Sequence, residues 1–277
     1  MSDVSAQASK NQTSLRNGLV IARTARALLK IAPAIAFCVL ATAGWEIMAR
    51  SLSSPLVPDV SKIARSCYDI VVSGQAFSQI GITVWRIALG FILAFVLALI
   101  IGISSARFDP VRVFFEPAIL LGLTVPGLVW ALLCVIWFGV SLATPVVSIA
   151  LGITPALVLS VVQGIRAVDP DIIEMAHVYR LSRRTRLQKI WLPCLVPTLL
   201  SGGRVAFSLA WKVIVLVEIF GLSDGVGYQI NSEFSMQNVE GVIAWTLVFW
   251  LGMLVLEYAV FQVLDRRLTR WERKAKV

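Results

Sequence analysis

The sequence predicts an all-α integral membrane protein of about six spanning helices, and three observations carry that prediction. Of 277 residues, 58% are hydrophobic and only 15% are charged, with a mean hydropathy of +0.82. A water-soluble domain of this length needs about a quarter of its residues charged to coat its core. Apolar stretches of about twenty residues, enough to cross ~30 Å of hydrocarbon, recur along the chain. The basic residues fall almost entirely in alternate connections between those stretches.

The stretches are 31–50, 82–104, 115–138, 143–164, 194–221 and 240–264. A polar, basic segment at 1–30 precedes the first. That apolar run is longer than the core of a cleaved signal peptide, so an uncleaved first span is expected. The second, with IALGFILAFVLALIIGI, is uninterrupted, whereas Pro126, Pro145 and Pro155 break into the third and fourth. Proline in a span is tolerated where neighbours or a cavity satisfy the freed carbonyl. Each of these prolines is either a simple kink or a bend that lines a pathway.

Charge sets the topology. Of 25 Lys and Arg, 19 lie on the side shared by the termini and the connections near 105–114 and 165–193. Arg50, Lys62 and Arg65 lie on the other side, and Arg86, Arg204 and Lys212 lie within spans. The positive-inside rule makes the first side cytoplasmic. The formal charge of +9 is therefore a topology signal and not a nucleic-acid footprint. The expected organisation is a basic N-terminal segment (1–30), a first span with its external loop (31–81), a core (82–264) holding a cytoplasmic loop at 165–193, and a basic tail (265–277). Within the external loop, Ile63, Tyr68, Ile70 and Val71 among polar residues predict a short helix on the membrane surface.

No chemistry of bond-breaking is visible. Cys38, Cys67, Cys134 and Cys194 are dispersed without metal-type spacing, and His177 is the single histidine. No cofactor, metal centre or catalytic residue is expected. Leu200-Ser-Gly-Gly-Arg204 imitates the signature loop of ABC ATPases, but no Gly-x-x-x-x-Gly-Lys-Ser/Thr loop exists to cradle a nucleotide. Small residues at that place instead let spans approach closely.

The cytoplasmic loop is the most informative segment. Asp169 is placed to cap a helix starting at Pro170, with Asp171 and Glu174 at its positive end. Ile172, Ile173, Ala176 and Tyr179 recur at helical spacing as an apolar stripe. Ser182 is placed to cap a second short helix, with Arg183, Arg184, Arg186 and Lys189 toward the cytoplasm and Leu187, Ile190 and Trp191 toward the membrane. Two amphipathic helices between spans make a docking surface for an unnamed partner; the alternative is a solvated basic loop without one.

Glu174-Met175-Ala176, followed by Ile190-Trp191-Leu192-Pro193, resembles the cytoplasmic loop signature of binding-protein-dependent ABC importer permeases. Pro197, Gly203-Arg204, Trp137-Phe138-Gly139, Ala210-Trp211 and Glu218 extend the resemblance over about residues 80–270, in the style of the nitrate/sulfonate/taurine branch. Met175 stands where the family has a second Ala, and Arg180 where it has a Gly between the short helices. Glycine there permits a positive-φ turn that arginine adopts only at a cost. The resemblance implies a type I importer permease fold in the bacterial inner membrane. It implies partner chains as well: cytoplasmic ABC ATPase subunits that carry out the hydrolysis, an external solute-binding protein and a second permease copy in a homodimer. It assigns the ATPase-coupling role to Asp171, Ile172, Glu174, Met175, Ala176, Tyr179, Arg180, Ile190, Leu192 and Pro193.

Ionisable groups inside spans are costly and therefore informative. In the fifth span Arg204, Trp211 and Glu218 share a face with Ser208 between them, and Lys212 lies about 100° from Trp211. Glu218 matches Arg86 in depth and Arg204 matches Glu257, so each pair is placed to bond; Lys212 has no such counterpart. Pro126, Trp130, Ser208, Trp211, Lys212 and Glu218 are the candidate path residues, with Lys212 attracting an anionic solute such as a sulfonate, nitrate or taurine-like compound. The competing reading is a stand-alone secondary transporter or channel, which typically shows internal repeats and mid-membrane coupling carboxylates. No repeat is evident between the halves, and co-purification of an ATPase distinguishes the two.

Overall fold

A computed structural model describes residues 32–268 apart from positions 34, 53 and 55, with side chains as far as 263. The expected basic segment at 1–30 lies outside the described residues, and so do the side chains of the tail at 265–277. Every regular element among the described residues is helical: α1 (Ile35–Leu52), α2 (Val60–Val72), α3 (Gln75–Arg107), α4 (Asp109–Thr124), α5 (Gly127–Phe138), α6 (Ala143–Arg166), α7 (Pro170–Val178), α8 (Arg183–Arg186), α9 (Leu192–Gly221), α10 (Val226–Ser235) and α11 (Val239–Leu268). A π turn, Leu187–Trp191, carries α8 into α9.

The chain divides into two compact units at residue 63. In the first, Trp45 Nε1 donates to Pro58 O at 3.0 Å and Glu46 accepts from Val60 N at 3.1 Å, tying the end of α1 to the segment that follows it.

The second unit is a bundle whose helix directions follow from close approaches at small residues. Gly90 lies against Ile149 and Gly102 against Val161, so that a methyl on either glycine would stand 2.7 Å from the facing Cβ. Both numbers rise together, and α3 and α6 therefore run parallel. Gly152 meets Val213, Ser160 meets Gly202 and Gly164 meets Thr198, so α9 runs antiparallel to α6. Gly127 against Val213 and Gly221 against Val135 make α5 parallel to α9. Two parallel neighbours, α3 and α6, require the chain to return across the membrane between them, and α4 with α5 makes that return. The hydrophobic core of the bundle includes Ile87, Ile149, Ile153, Leu157, Ile214 and Trp245.

Four helices, α1, α3, α6 and α11, are long and apolar enough to span alone, and two bent pairs raise the number to six. The expected third span at 115–138 is one of those pairs: α4 and α5 meet at 102° around Val125–Pro126. Pro126 has no N–H to continue the ladder, and Gly122 sits directly on Pro155 of α6, which halts α4 there. Pro145 and Pro155 lie within α6, which continues through both. The second pair is the helix reaching Gly221 and α10, bent by 50°. The sequence reading contained no α10.

The expected surface helix is α2. Tyr68 and Val72 are exposed, while Ile70 packs on the core and Ser66 Oγ donates to Glu240 of α11. Cys67 Sγ points at Ala244 O, and burial pushes its thiol pKa up.

Candidate functional site: a self-supporting loop and a polar knot

The loop between α6 and α9 folds as expected at its caps. Asp169 Oδ1 accepts from Asp171 N at 2.9 Å, and Ser182 Oγ from Thr185 N at 3.2 Å. Between the two helices Arg180 adopts φ 49°. Its N–H donates to His177 O, and Leu181 N donates to Ala176 O, both at 3.0 Å. That pair of bonds is the Schellman closure, which ordinarily places glycine at the left-handed residue. The turn is thus the one glycine favours, with arginine holding it at a cost of about 1 kcal/mol.

A small hydrophobic core stiffens the loop. Val168, Ala176 and Ile190 are buried together, with Ile173, Leu181, Trp191 and Cys194 packed around them. The stripe read from the sequence divides here: Ile173 and Ala176 face this core, whereas Ile172 and Tyr179 are exposed, as are Met175 and Val178. Helical spacing placed all four residues on one broad face, and packing of Ile190 covers only half of it. Leu187 is likewise exposed, while Ile190 is buried. Asp171, Glu174, Arg180 and Leu192 are exposed and Pro193 is half-buried. The loop therefore presents an apolar and acidic platform above its own core.

At the opposite end of the bundle lies a polar knot. Glu218 is fully buried and accepts from Thr83 Oγ1 at 3.0 Å, Arg86 Nη1 at 2.9 Å and Gly227 N at 2.9 Å. Arg86 also bonds the Asp224 carboxylate and, at 3.0 Å, its carbonyl oxygen. Gln79 Oε1 accepts from Gly225 N at 2.7 Å, and Thr83 Oγ1 from Val226 N at 3.1 Å. Gly225 holds φ 97°, and a methyl there would overlap the Glu218 carboxylate. Sequence depth pointed to the Arg86–Glu218 pair; the part played by Thr83, Gln79 and Asp224 carried no signal in spacing.

The remaining span residues separate. Arg204 stands 3.8 Å from Glu257, and its guanidinium lies 5.4 Å from the Phe261 ring centre. Trp211 packs edge-on against Phe249. Lys212 is exposed on α9, its ammonium 5.8 Å from the Trp211 ring centre, and makes no ion pair among the described residues. Ser208 is half-buried one turn before it. The α5–α9 register sets exposed Pro126 level with Lys212, and Trp130 one turn further along α5, its buried Nε1 without a hydrogen-bond partner among the described residues. Counted along α6, about 36 Å long at 1.5 Å per residue, the Lys212 level falls near the middle of the bundle.

A bundle of bent and straight spans with a stiff loop on one face and a locked polar knot on the other is the build of a membrane permease. Residues 94–270 match the family described as the binding-protein-dependent transport system inner membrane component, and the chain belongs to that family. It is thus a multi-pass membrane permease subunit of a binding-protein-dependent ABC importer, a non-catalytic class. Among relatives, it is 29% identical over 230 residues to the aliphatic sulfonates transport permease protein SsuC of Bacillus subtilis (strain 168), covering 82% of this chain and 83% of that one. It is 27% identical to the taurine transport system permease protein TauC of Escherichia coli (strain K12), over 84% and 86% of the two chains. The formylaminopyrimidine transport permease protein ThiX of Halalkalibacterium halodurans is 26% identical, over 83% and 92%. The fold matches the crystal structure of an amino acid ABC transporter with histidines at TM-score 0.59 and 19% identity, covering 72% of this chain and 96% of that one. It matches the MetNI methionine ABC transporter in an inward facing conformation at TM-score 0.53 and 14% identity, over 68% and 92%.

Proposed function

We propose that this permease conducts a small organic sulfonate inward, either an alkanesulfonate anion or the sulfonate-bearing zwitterion taurine, as one of two identical membrane subunits. The observation that carries the substrate class is Lys212, a cation near mid-bundle with no carboxylate partner among the described residues. A lone ammonium at that depth is costly unless water or a solute meets it. The break at Pro126 on the same level fits a path, because irregular backbone in membranes occurs where it lines a cavity. Relatives named for sulfonates and taurine support the class. Ser208, Trp211 and Trp130 are the neighbours proposed to line the path with Lys212. For Glu218 the proposed role is to fix the outer end of that path, since its carboxylate is enclosed.

Cytoplasmic termini, an external solute-binding protein and a pair of cytoplasmic ATPases complete the proposal. The ATPases dock on the platform of Ile172, Glu174, Met175 and Tyr179, while Ala176 and Ile190 hold that platform from beneath and Arg180 shapes its edge. The test is uptake of labelled taurine and of an alkanesulfonate by vesicles containing the assembled transporter. Expected is saturable, ATP-dependent uptake that Lys212→Met abolishes while ATPase capture persists. Full sulfonate uptake by Lys212→Met would remove that residue from the path, and ATP-dependent uptake of uncharged solutes alone would remove the substrate class. Glu174→Lys is expected to leave ATP hydrolysis running without uptake.

A further inference from the structure

We propose that α10 is an outer gate that lifts about the 221–225 elbow, with Arg86 and Asp224 as positioning residues that latch it shut. This rests on the chain working as an importer permease. The knot has two tiers that share Thr83 and Arg86 and are joined to each other by the Gly227 amide. The inner tier is Glu218 with Thr83 and Arg86, which joins α3 to α9 and does not involve the body of α10 beyond the Gly227 amide. The outer tier is the Arg86–Asp224 ion pair, the Gly225 N bond to Gln79 and the Val226 N bond to Thr83. These outer contacts tie the start of α10 to α3.

Lifting α10 breaks the outer tier and the Gly227 bond to Glu218, and leaves the buried carboxylate paired with its cation. Glu218 keeps Thr83 and Arg86, so no uncompensated charge is created in the bundle, and that event would be the expensive one. Asp224, by contrast, has a side chain 47% exposed, so solvent is ready to take over its carboxylate when Arg86 lets go. The elbow supplies the freedom: Gly221 ends α9, Leu222 is extended and Gly225 sits at φ 97°. Val226, fully buried at the foot of α10, is uncovered by the motion.

The test uses the assembled transporter in vesicles, with the four native cysteines replaced by serine or alanine and Val226→Cys as the reporter; Ile230→Cys, one turn further along α10, serves if Val226→Cys fails to assemble. Labelling by a membrane-impermeant maleimide is followed at rest and after trapping with ATP and vanadate. The latch predicts slow labelling at rest and fast labelling in one trapped state. Adding Asp224→Asn, which keeps an acceptor but removes the charge, raises resting labelling about tenfold, the shift expected when a charge-assisted hydrogen bond is lost. A merely structural knot would lower thermal stability in Asp224→Asn without moving the labelling rate. Uptake with labelling equal in both states and in Asp224→Asn would overturn the gate. Absence of any uptake by the parent transporter would overturn the importer reading with it.

Discussion

Arg86 Nη1 lies 2.9 Å from Glu218 Oε1, an ion pair that joins α3 to α9 across 132 positions of sequence. Because Glu218 has no exposure, removing its cation leaves a buried carboxylate with hydrogen bonds from Thr83 and Gly227 but no countercharge. Arg86→Met is expected to destabilise the fold by about 3–5 kcal/mol, and Arg86→Met with Glu218→Gln by much less. Thermal unfolding of the detergent-solubilised chain measures both. Equal loss in the single and double variants would show that the pair's charge is not what matters.

The turn at Arg180 is strained by its own side chain. Arg180→Gly is expected to stabilise the loop locally by about 1 kcal/mol, less the added freedom of glycine in the unfolded chain. Hydrogen exchange at Arg180 N and Leu181 N, the two amides that close the turn, reports this as slower exchange by a few fold. Arg180→Val, β-branched at a positive φ, is expected to do the reverse.

Close approach governs α3 against α6. Gly90→Leu and Gly102→Leu drive carbon into Ile149 and Val161 and are expected to cost about 1–3 kcal/mol each. Gly81→Ala, on the same helix with open space around it, is expected to be neutral or slightly stabilising. A melting series over these variants separates packing from helix propensity.

The exposed platform gives a binding prediction. Tyr179 is 74% exposed and Met175 46%. If they carry the proposed ATPase contact, Tyr179→Ala weakens ATPase capture about tenfold or more, as loss of an aromatic anchor does. Ile173→Ala instead loosens the loop's core and lowers stability first. Pull-down of the ATPase against loop hydrogen exchange distinguishes the two effects.

Much of this was legible in residue spacing, and the failures have physical causes. Hydropathy located the four helices long enough to span alone and the apolar part of each bent pair, because lipid demands long apolar runs, and matching depth paired Arg86 with Glu218. Asp169 and Ser182 announced their caps by residue type. The bend after Thr124 was legible only as an interruption, since Pro126 marks a break while Gly122 on Pro155 helps set its angle. Helix α10 escaped because its ten residues are too polar for a span, and Asp224 and Gln79 hold it through contacts far apart in sequence. The two sides of the α7 stripe look alike at helical period, and only Ile190, from beyond α8, decides which side is covered.

The buried cluster of Val168, Ala176 and Ile190 draws on the segment just after α6, on α7 and on the turn into α9. A connection of that length without packing would absorb a displacement as slack. With its three contributing segments clamped on shared side chains, a push on α7 reaches the feet of two spans together. Such a connection behaves as a stiff crank between neighbouring shafts, and its stroke is set by how little those side chains can yield.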